Sequence, residues 1–234
     1  MNNKRIQLFV GPIGSGKTEI SINYALSLHQ NGENVALLDF DVVKPYIRIR
    51  DVVDQLKESG LHVLTPEGPT AYADMPIVPA HIYSWIADTS RKLIMDVGGD
   101  KQGSTTIAQV VARLDPQDYE FTLVINPFRP FMSTATQIIR TASEIAFAAH
   151  AHFSSIVANP HLKELTTLED YLSGLEVVRA ASKEMNLPIL FSAITPEMNA
   201  QLDGRDIDMN KLLLQLFVKA PWEEKKPFRW IYKG

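Results

Sequence analysis

The sequence predicts an α/β fold: one domain spanning residues 1–234, with a mostly parallel sheet of about seven strands between two helical layers (α/β/α). Two observations carry that expectation. Short, nearly uninterrupted apolar runs alternate with segments whose apolar residues recur at helical spacing, as in right-handed β-α-β crossovers covered on both faces. In addition, run after run closes on a polar or charged residue, and open parallel sheets bind their ligands beyond the carboxyl ends of their strands.

Taken in order, Ile6-Gln7-Leu8-Phe9-Val10 is a strand, and Glu19-Ile20-Ser21-Ile22-Asn23-Tyr24-Ala25-Leu26 lies in the helix that follows. Gly32-Glu33-Asn34 stops that helix. Val35-Ala36-Leu37-Leu38-Asp39-Phe40-Asp41 is a buried strand ending in two carboxylates. Residues 47–57 read as a short helix, 61–64 as a strand, 65–79 as a proline-rich irregular loop and 80–89 as a helix. Lys92-Leu93-Ile94-Met95-Asp96-Val97-Gly98-Gly99 repeats the strand-then-carboxylate pattern and adds two glycines. Helices follow at 105–114, 133–149 and 167–185, the last with Thr167 as its cap and Glu169-Asp170 in its first turn. Strands at 121–125, 153–158 and 189–194 end at Asn126-Pro127, Asn159-Pro160 and Thr195-Pro196-Glu197. Residues 210–218 read as a final helix, and 220–234 as a tail.

Between the first strand and the first helix stands Gly11-Pro12-Ile13-Gly14-Ser15-Gly16-Lys17-Thr18. This is G-x-x-x-x-G-K-[ST] in the context that a phosphate-binding loop requires. Glycines let the backbone curl so that successive N–H groups point at phosphate oxygens. The helix adds its own unpaired N–H groups and the positive end of its dipole. Lys17 is placed to reach the outer phosphates, and the Thr18 hydroxyl to ligate Mg²⁺. Gly11, Gly14, Ser15, Gly16, Lys17, Thr18 and the first-turn Glu19 are therefore the expected phosphate-side residues.

Composition excludes several other classes. A net charge of −4 argues against general nucleic-acid binding. With no cysteine there is no disulfide, no Cys-ligated zinc or iron–sulfur cluster and no thiol nucleophile. His150 and His152 alternate at an expected strand start and read as structural residues before metal ligands. The absence of a signal-like start and of a membrane-length apolar run leads to the expectation of a cytoplasmic protein.

Together these segments resemble the ParA/MinD branch of P-loop NTPases, the CobQ/CobB/MinD/ParA nucleotide-binding group, over most of the chain. The matching pieces are Gly11–Thr18, Leu38-Asp39-Phe40-Asp41, Asp96-Val97-Gly98-Gly99, Asn126-Pro127, Asn159 and Thr195-Pro196-Glu197. The resemblance implies Mg²⁺ and ATP as cofactors, with Thr18, Asp39, Asp41 and Asp96 grouped about the metal. It implies that Lys17 and Asp41 are catalytic, Asp41 orienting the attacking water, and that Asp39 holds the metal's hydration shell. Asp96 would stand behind the metal ligands, Gly98 and Gly99 would form a switch beside the γ-phosphate, and Asn159 with Thr195, Pro196 and Glu197 would hold the adenine. No guanine-reading N-K-x-D is present, because Asn159 is followed by Pro160, His161 and Leu162; ATP is expected over GTP.

One position departs from the family. Its signature lysine, just after the first loop glycine, is Pro12 here. Lys44, Arg48 and Arg50 are candidates for a replacement charge, or else the solvated face of a switch helix. The basic, aromatic stretch Lys225-Lys226-Pro227-Phe228-Arg229-Trp230-Ile231-Tyr232-Lys233 reads as a tail packing on its own domain rather than as a membrane helix.

The function expected first is an ATPase switch acting on an unknown protein client, with a nucleotide-dependent homodimer as a candidate assembly and neither nucleic acid nor membrane as partner. The alternatives are an ATP-dependent small-molecule ligase or kinase, like dethiobiotin and cobyrinate synthases, and a scaffold that binds nucleotide without hydrolysing it.

Overall fold

The computed structural model describes residues 4–41, 49–65, 78 and 80–217. Eight parallel strands form one sheet: β1 (Ile6–Gly11), β2 (Val35–Phe40), β3 (His62–Leu64), β4 (Lys92–Gly98), β5 (Tyr119–Ile125), β6 (Ser155–Ala158), β7 (Ile189–Ile194) and β8 (Lys211–Leu213). Their order across the sheet is β3-β2-β4-β1-β5-β6-β7-β8. The strand carrying the glycine-rich loop is therefore central, flanked by β4 on one side and β5 on the other.

Every residue of β1 and β2 is buried, which explains why these strands read as continuous apolar runs rather than alternating ones. Alternate side chains feed two separate cores. Leu8 and Val10 join the cluster beneath α3 (Ala80–Ala87), α4 (Lys101–Val111), α5 (Ala135–Ala149), α6 (Leu168–Met185) and α7 (Pro196–Gln201). Phe9 joins the cluster beneath α1 (Lys17–Gln30) and α2 (Val53–Glu58). There Phe9, Tyr24 and Phe191 meet ring to ring, with centroids 5.3 to 6.3 Å apart. Three layers result.

Two sequence expectations change at the carboxyl end. Over 210–217, the described part of the helix expected at 210–218, no helix forms; Lys211–Leu213 instead pairs with β7, Ser192 opposite Lys211, and takes the sheet to eight strands. Short apolar runs fit either period, and here Leu214 and Phe217 are drawn onto α1 while Lys211 and Leu213 face outward. Thr195-Pro196-Glu197, read only as a strand-end turn, opens the short helix α7, with the Thr195 hydroxyl accepting from the Met198 N–H.

Boundaries elsewhere shift for local reasons. The helix expected from 105 begins at Lys101 because Asp100 accepts from the N–H groups of Gln102 and Gly103, each at 2.9 Å. The helix expected over 47–57 opens as a tight 3-10 turn, Ile49–Val52, before α2. At α6 the expected Thr167 cap is present as a reciprocal capping box with Asp170. Lys44, Arg48, the loop residues 66–77 and the tail residues 218–234 lie outside the described residues, as does the side chain of Arg50.

Candidate functional site

The loop after β1 is held open by two left-handed glycines, Gly14 (φ 78°) and Gly16 (φ 90°), the second serving as the residue that precedes α1. Side chains strain in this backbone region, and at Gly16 there is no room for one. A Cβ there would overlap the Asn159 amide nitrogen. Ser15 N–H closes a turn onto Pro12 C=O at 3.1 Å, and Ile20 N–H starts the helix ladder on Gly16 C=O. Gly11 is bare because a Cβ would sit 2.6 Å from both Ser15 Oγ and Val124 C=O. Ser15 itself is fully buried, and its hydroxyl has no hydrogen-bond partner among the described residues.

Charged and polar side chains from β2 and β4 converge on this loop. Lys17 Nζ lies 3.2 Å from Asp41 Oδ2, both side chains nearly inaccessible to solvent. Thr18 donates its hydroxyl proton to Asp96 Oδ2 at 2.7 Å. Asp39 and Asp96 are register partners on adjacent strands, and Asp41 N–H approaches Asp39 Oδ1 at 3.4 Å. Gly98 gives Asp41 its space: a Cβ at Gly98 would stand 2.8 Å from Asp41 Oδ1. Gly99 in turn presses on the backbone of Gly11. Residues 78 positions apart in the chain thus meet on one side of the loop because β2 and β4 stand in sequence beside β1.

The other side is built from the ends of β5 and β6. Asn126 is almost wholly buried; its amide donates to His161 C=O at 2.8 Å, and its Oδ1 accepts from Phe128 N–H. Asn159 donates its Nδ2 to Ser15 C=O at 2.8 Å, so it braces the loop from below. The remaining polar atom of that buried amide, Oδ1, has no hydrogen-bond partner among the described residues. His161 is half-buried, and that burial pulls its pKa below the ordinary 6.5; Lys163 and Arg129 add to the effect and Glu164 opposes it.

The structure thus brings Gly11, Gly14, Ser15, Gly16, Lys17, Thr18, Asp39, Asp41, Asp96, Gly98, Gly99 and Asn159 to one rim. Thr195, Pro196 and Glu197 stand at the end of β7, three strands from β1, about 14 Å across the sheet. The Glu19 carboxylate accepts from the Phe217 N–H at 3.0 Å. Beside it Asn23 donates to Gln215 C=O and accepts from Gln215 N–H. The helix behind the loop thereby clamps the chain that leaves β8.

One side chain at the loop escaped the sequence reading. Arg129 reaches back from the β5–α5 connection and donates Nε to Gly14 C=O at 2.9 Å. The signal available was a cation two residues beyond Asn126-Pro127 at a strand end. His150, weighed as one of a histidine pair, closes α5 in a left-handed conformation (φ 50°). Among the described residues no group of three or more His, Asp or Glu side chains is arranged to hold a metal by itself, and no helix is long and apolar enough to cross a membrane.

A central strand running into a glycine-rich loop and buried Lys-Thr pair, within a parallel α/β/α sheet, defines the P-loop NTPase fold. Solved structures agree with that definition. FtsY from Thermotoga maritima superposes with a TM-score of 0.54 at 20% identity, covering 82% of this chain and 62% of that one. FtsY from Mycoplasma mycoides gives 0.54 at 18%, covering 81% and 59%. The signal recognition particle 54 kDa protein from Aeropyrum pernix K1, in complex with GDP, gives 0.54 at 20%, covering 82% and 41%. The chain spans about three fifths of the length of the FtsY structures it matches. No protein-family model and no curated protein matches the sequence.

Proposed function

We propose that this chain binds Mg-ATP in the loop Gly11–Thr18 and works as an ATPase switch on a protein partner, in the manner of the ParA/MinD branch. The observation that carries the reading is the buried ion pair between Lys17 and Asp41, packed against Gly98. Phosphate oxygens arriving at the loop compete with Asp41 for the same ammonium group. Once Lys17 turns to phosphate, its hold on Asp41 is given up, and a carboxylate at the reacting end of the nucleotide can orient water. Asp41 follows β2 and packs beside Gly98 at the end of β4, so a change at one phosphate is felt by both strand-end segments.

The donor set suits Mg²⁺. Thr18, Asp39, Asp41 and Asp96 offer only hard oxygen atoms, and Mg²⁺ characteristically takes one or two protein ligands and fills the rest with water and phosphate. The metal would neutralise charge on the phosphates. Thr18 would remain oriented by its bond to Asp96, which leaves the hydroxyl lone pairs for the cation.

For the base, Asn159 supports adenine. One N–H of its Nδ2 goes to Ser15 C=O, and the buried atom with no hydrogen-bond partner among the described residues is the acceptor Oδ1. An unpartnered acceptor suits the 6-amino group of adenine, which donates. The Thr195–Glu197 segment lies further along the same direction from the loop. A protein client is supported by Ile13, Phe131 and Leu165, which are 75%, 77% and 80% exposed on the loops after β1, β5 and β6.

The test is binding and turnover of ATP and GTP with Mg²⁺ over a range of protein concentrations, with Lys17→Ala beside the wild type. Lys17-dependent ATP binding and phosphate release are expected, and specific activity that rises with concentration identifies a homodimer. Preference for GTP would overturn the base assignment; the GDP held by one structural neighbour makes it the proper competitor. Binding that ignores Lys17 would overturn the site.

A further inference from the structure

Arg129 occupies a place at the loop that neither the glycine-rich motif nor the strand-end carboxylates explain. Its Nε hydrogen-bonds Gly14 C=O, and the side chain lies flat along that glycine. A Cβ on Gly14 would meet Nε at 2.9 Å, Cδ at 3.2 Å and Cζ at 3.3 Å. Gly14 itself is left-handed, with φ 78°. Gly14 is therefore glycine twice over, for its backbone and for the guanidinium that covers it.

The backbone under Arg129 is fixed. Its N–H donates to Asn126 C=O and its C=O accepts from Met132 N–H, both at 3.1 Å, and the buried Asn126 side chain ties the same connection to His161. Among the described residues neither terminal amino group makes a hydrogen bond and the guanidinium forms no ion pair. A guanidinium held by Nε alone keeps two parallel N–H donors at its far edge, the geometry that grips two oxygens of one phosphate.

The charge balance of the site points the same way. Asp39, Asp41 and Asp96 already crowd the β2–β4 side of the loop, and Lys17 is engaged by one of them. A triphosphate adds roughly four negative charges to that group. Arg129 stands on the opposite, β5 side, so the loop is flanked by carboxylates on one hand and by a rigidly based cation on the other. Pro12 brings no charge to the loop's own crown.

We infer that Arg129 is an outer-phosphate ligand supplied by the same chain: its terminal amino groups bind the end phosphate of a nucleoside triphosphate while Nε holds the loop at Gly14. The inference rests on the nucleotide reading above and deepens it. It makes the site selective for triphosphate over diphosphate without a charge from a second copy.

Calorimetric titration with a non-hydrolysable ATP analogue and with ADP, both with Mg²⁺, tests this on the full chain. The proteins are wild type, Arg129→Ala, Arg129→Gln, Arg129→Lys and Lys17→Ala. Arg129→Ala and Arg129→Gln should weaken the triphosphate analogue by roughly ten- to a hundredfold and ADP by no more than about threefold. Arg129→Lys should recover part of the loss, since it restores charge and not the fork. Equal losses for both ligands would reduce Arg129 to a brace for the loop and overturn the inference. So would triphosphate affinity unchanged in a folded Arg129→Gln protein whose Lys17→Ala counterpart fails to bind. If the wild type binds neither ligand, the nucleotide reading falls, and this inference with it.

Discussion

Lys17 Nζ and Asp41 Oδ2 stand 3.2 Å apart with both side chains shut away from solvent, one from the first turn of α1 and the other from the residue after β2. Buried pairs of this kind gain little net stability, because attraction is spent on desolvation, yet removing one partner is expensive. The pair makes the loop's lysine and the proposed water-orienting carboxylate mutually dependent.

Asp41→Asn leaves Lys17 buried beside a neutral group. Stability without nucleotide should fall by about 3 kcal/mol, and Mg-ATP should restore more stability than it gives the wild type, because phosphate then supplies the missing counter-charge. Phosphate release should drop by ~100-fold or more. Thermal unfolding with and without Mg-ATP, alongside turnover, checks both arms; equal ATP stabilisation of the two proteins would refute the competition for Lys17.

Gly16→Ala forces a side chain into a left-handed position and against the Asn159 amide. The strain costs on the order of 1–3 kcal/mol, and the added methyl meets the same amide nitrogen that bonds Ser15 C=O. Nucleotide binding should be lost while the fold survives, as read by titration and circular dichroism. Wild-type affinity in this variant would mean that the loop geometry is not what holds phosphate.

Thr18→Val and Thr18→Ser separate shape from hydroxyl. Valine removes the donor to buried Asp96, at a cost of about 1–3 kcal/mol, and should abolish the Mg²⁺ dependence of nucleotide affinity. Serine should keep both. Titrations with Mg²⁺ and with excess chelator distinguish them, and a Val variant that still responds to Mg²⁺ would remove Thr18 from the metal.

His161 has a pKa below its ordinary 6.5, chiefly through burial. The fold therefore prefers the neutral ring. That contribution is fully present above about pH 6.5 and is lost as pH falls through the lower folded value, where the unfolded chain binds the extra proton. Urea unfolding of wild type should weaken from about pH 7 to about pH 5, and His161→Asn should flatten that part of the slope. An unchanged slope would place the titration elsewhere.

The division between what was legible and what was not follows contact distance along the chain. Strand and helix existence came from periodicity, and the phosphate loop from a motif eight residues long, because both are set by neighbours within a turn or two. The carboxylates at the ends of β2 and β4 were readable as strand ends, and topology then placed them beside the loop. The helix expected over 210–218 gives way because an apolar run does not state its own period; over 210–217 pairing with β7 and the clamp by Glu19 and Asn23 choose the extended form.

By itself, then, the sequence determined a parallel α/β/α sheet, a glycine-rich loop at its centre and a rim of strand-end acids. Only the tertiary structure decided that Asp41 grips Lys17, that Asn159 braces Ser15 from 144 residues away, and that Arg129 covers Gly14 from 115. Local spacing fixes φ, ψ and the face a residue occupies. Which side chains share a buried site depends on strand order, and strand order is a property of the whole sheet.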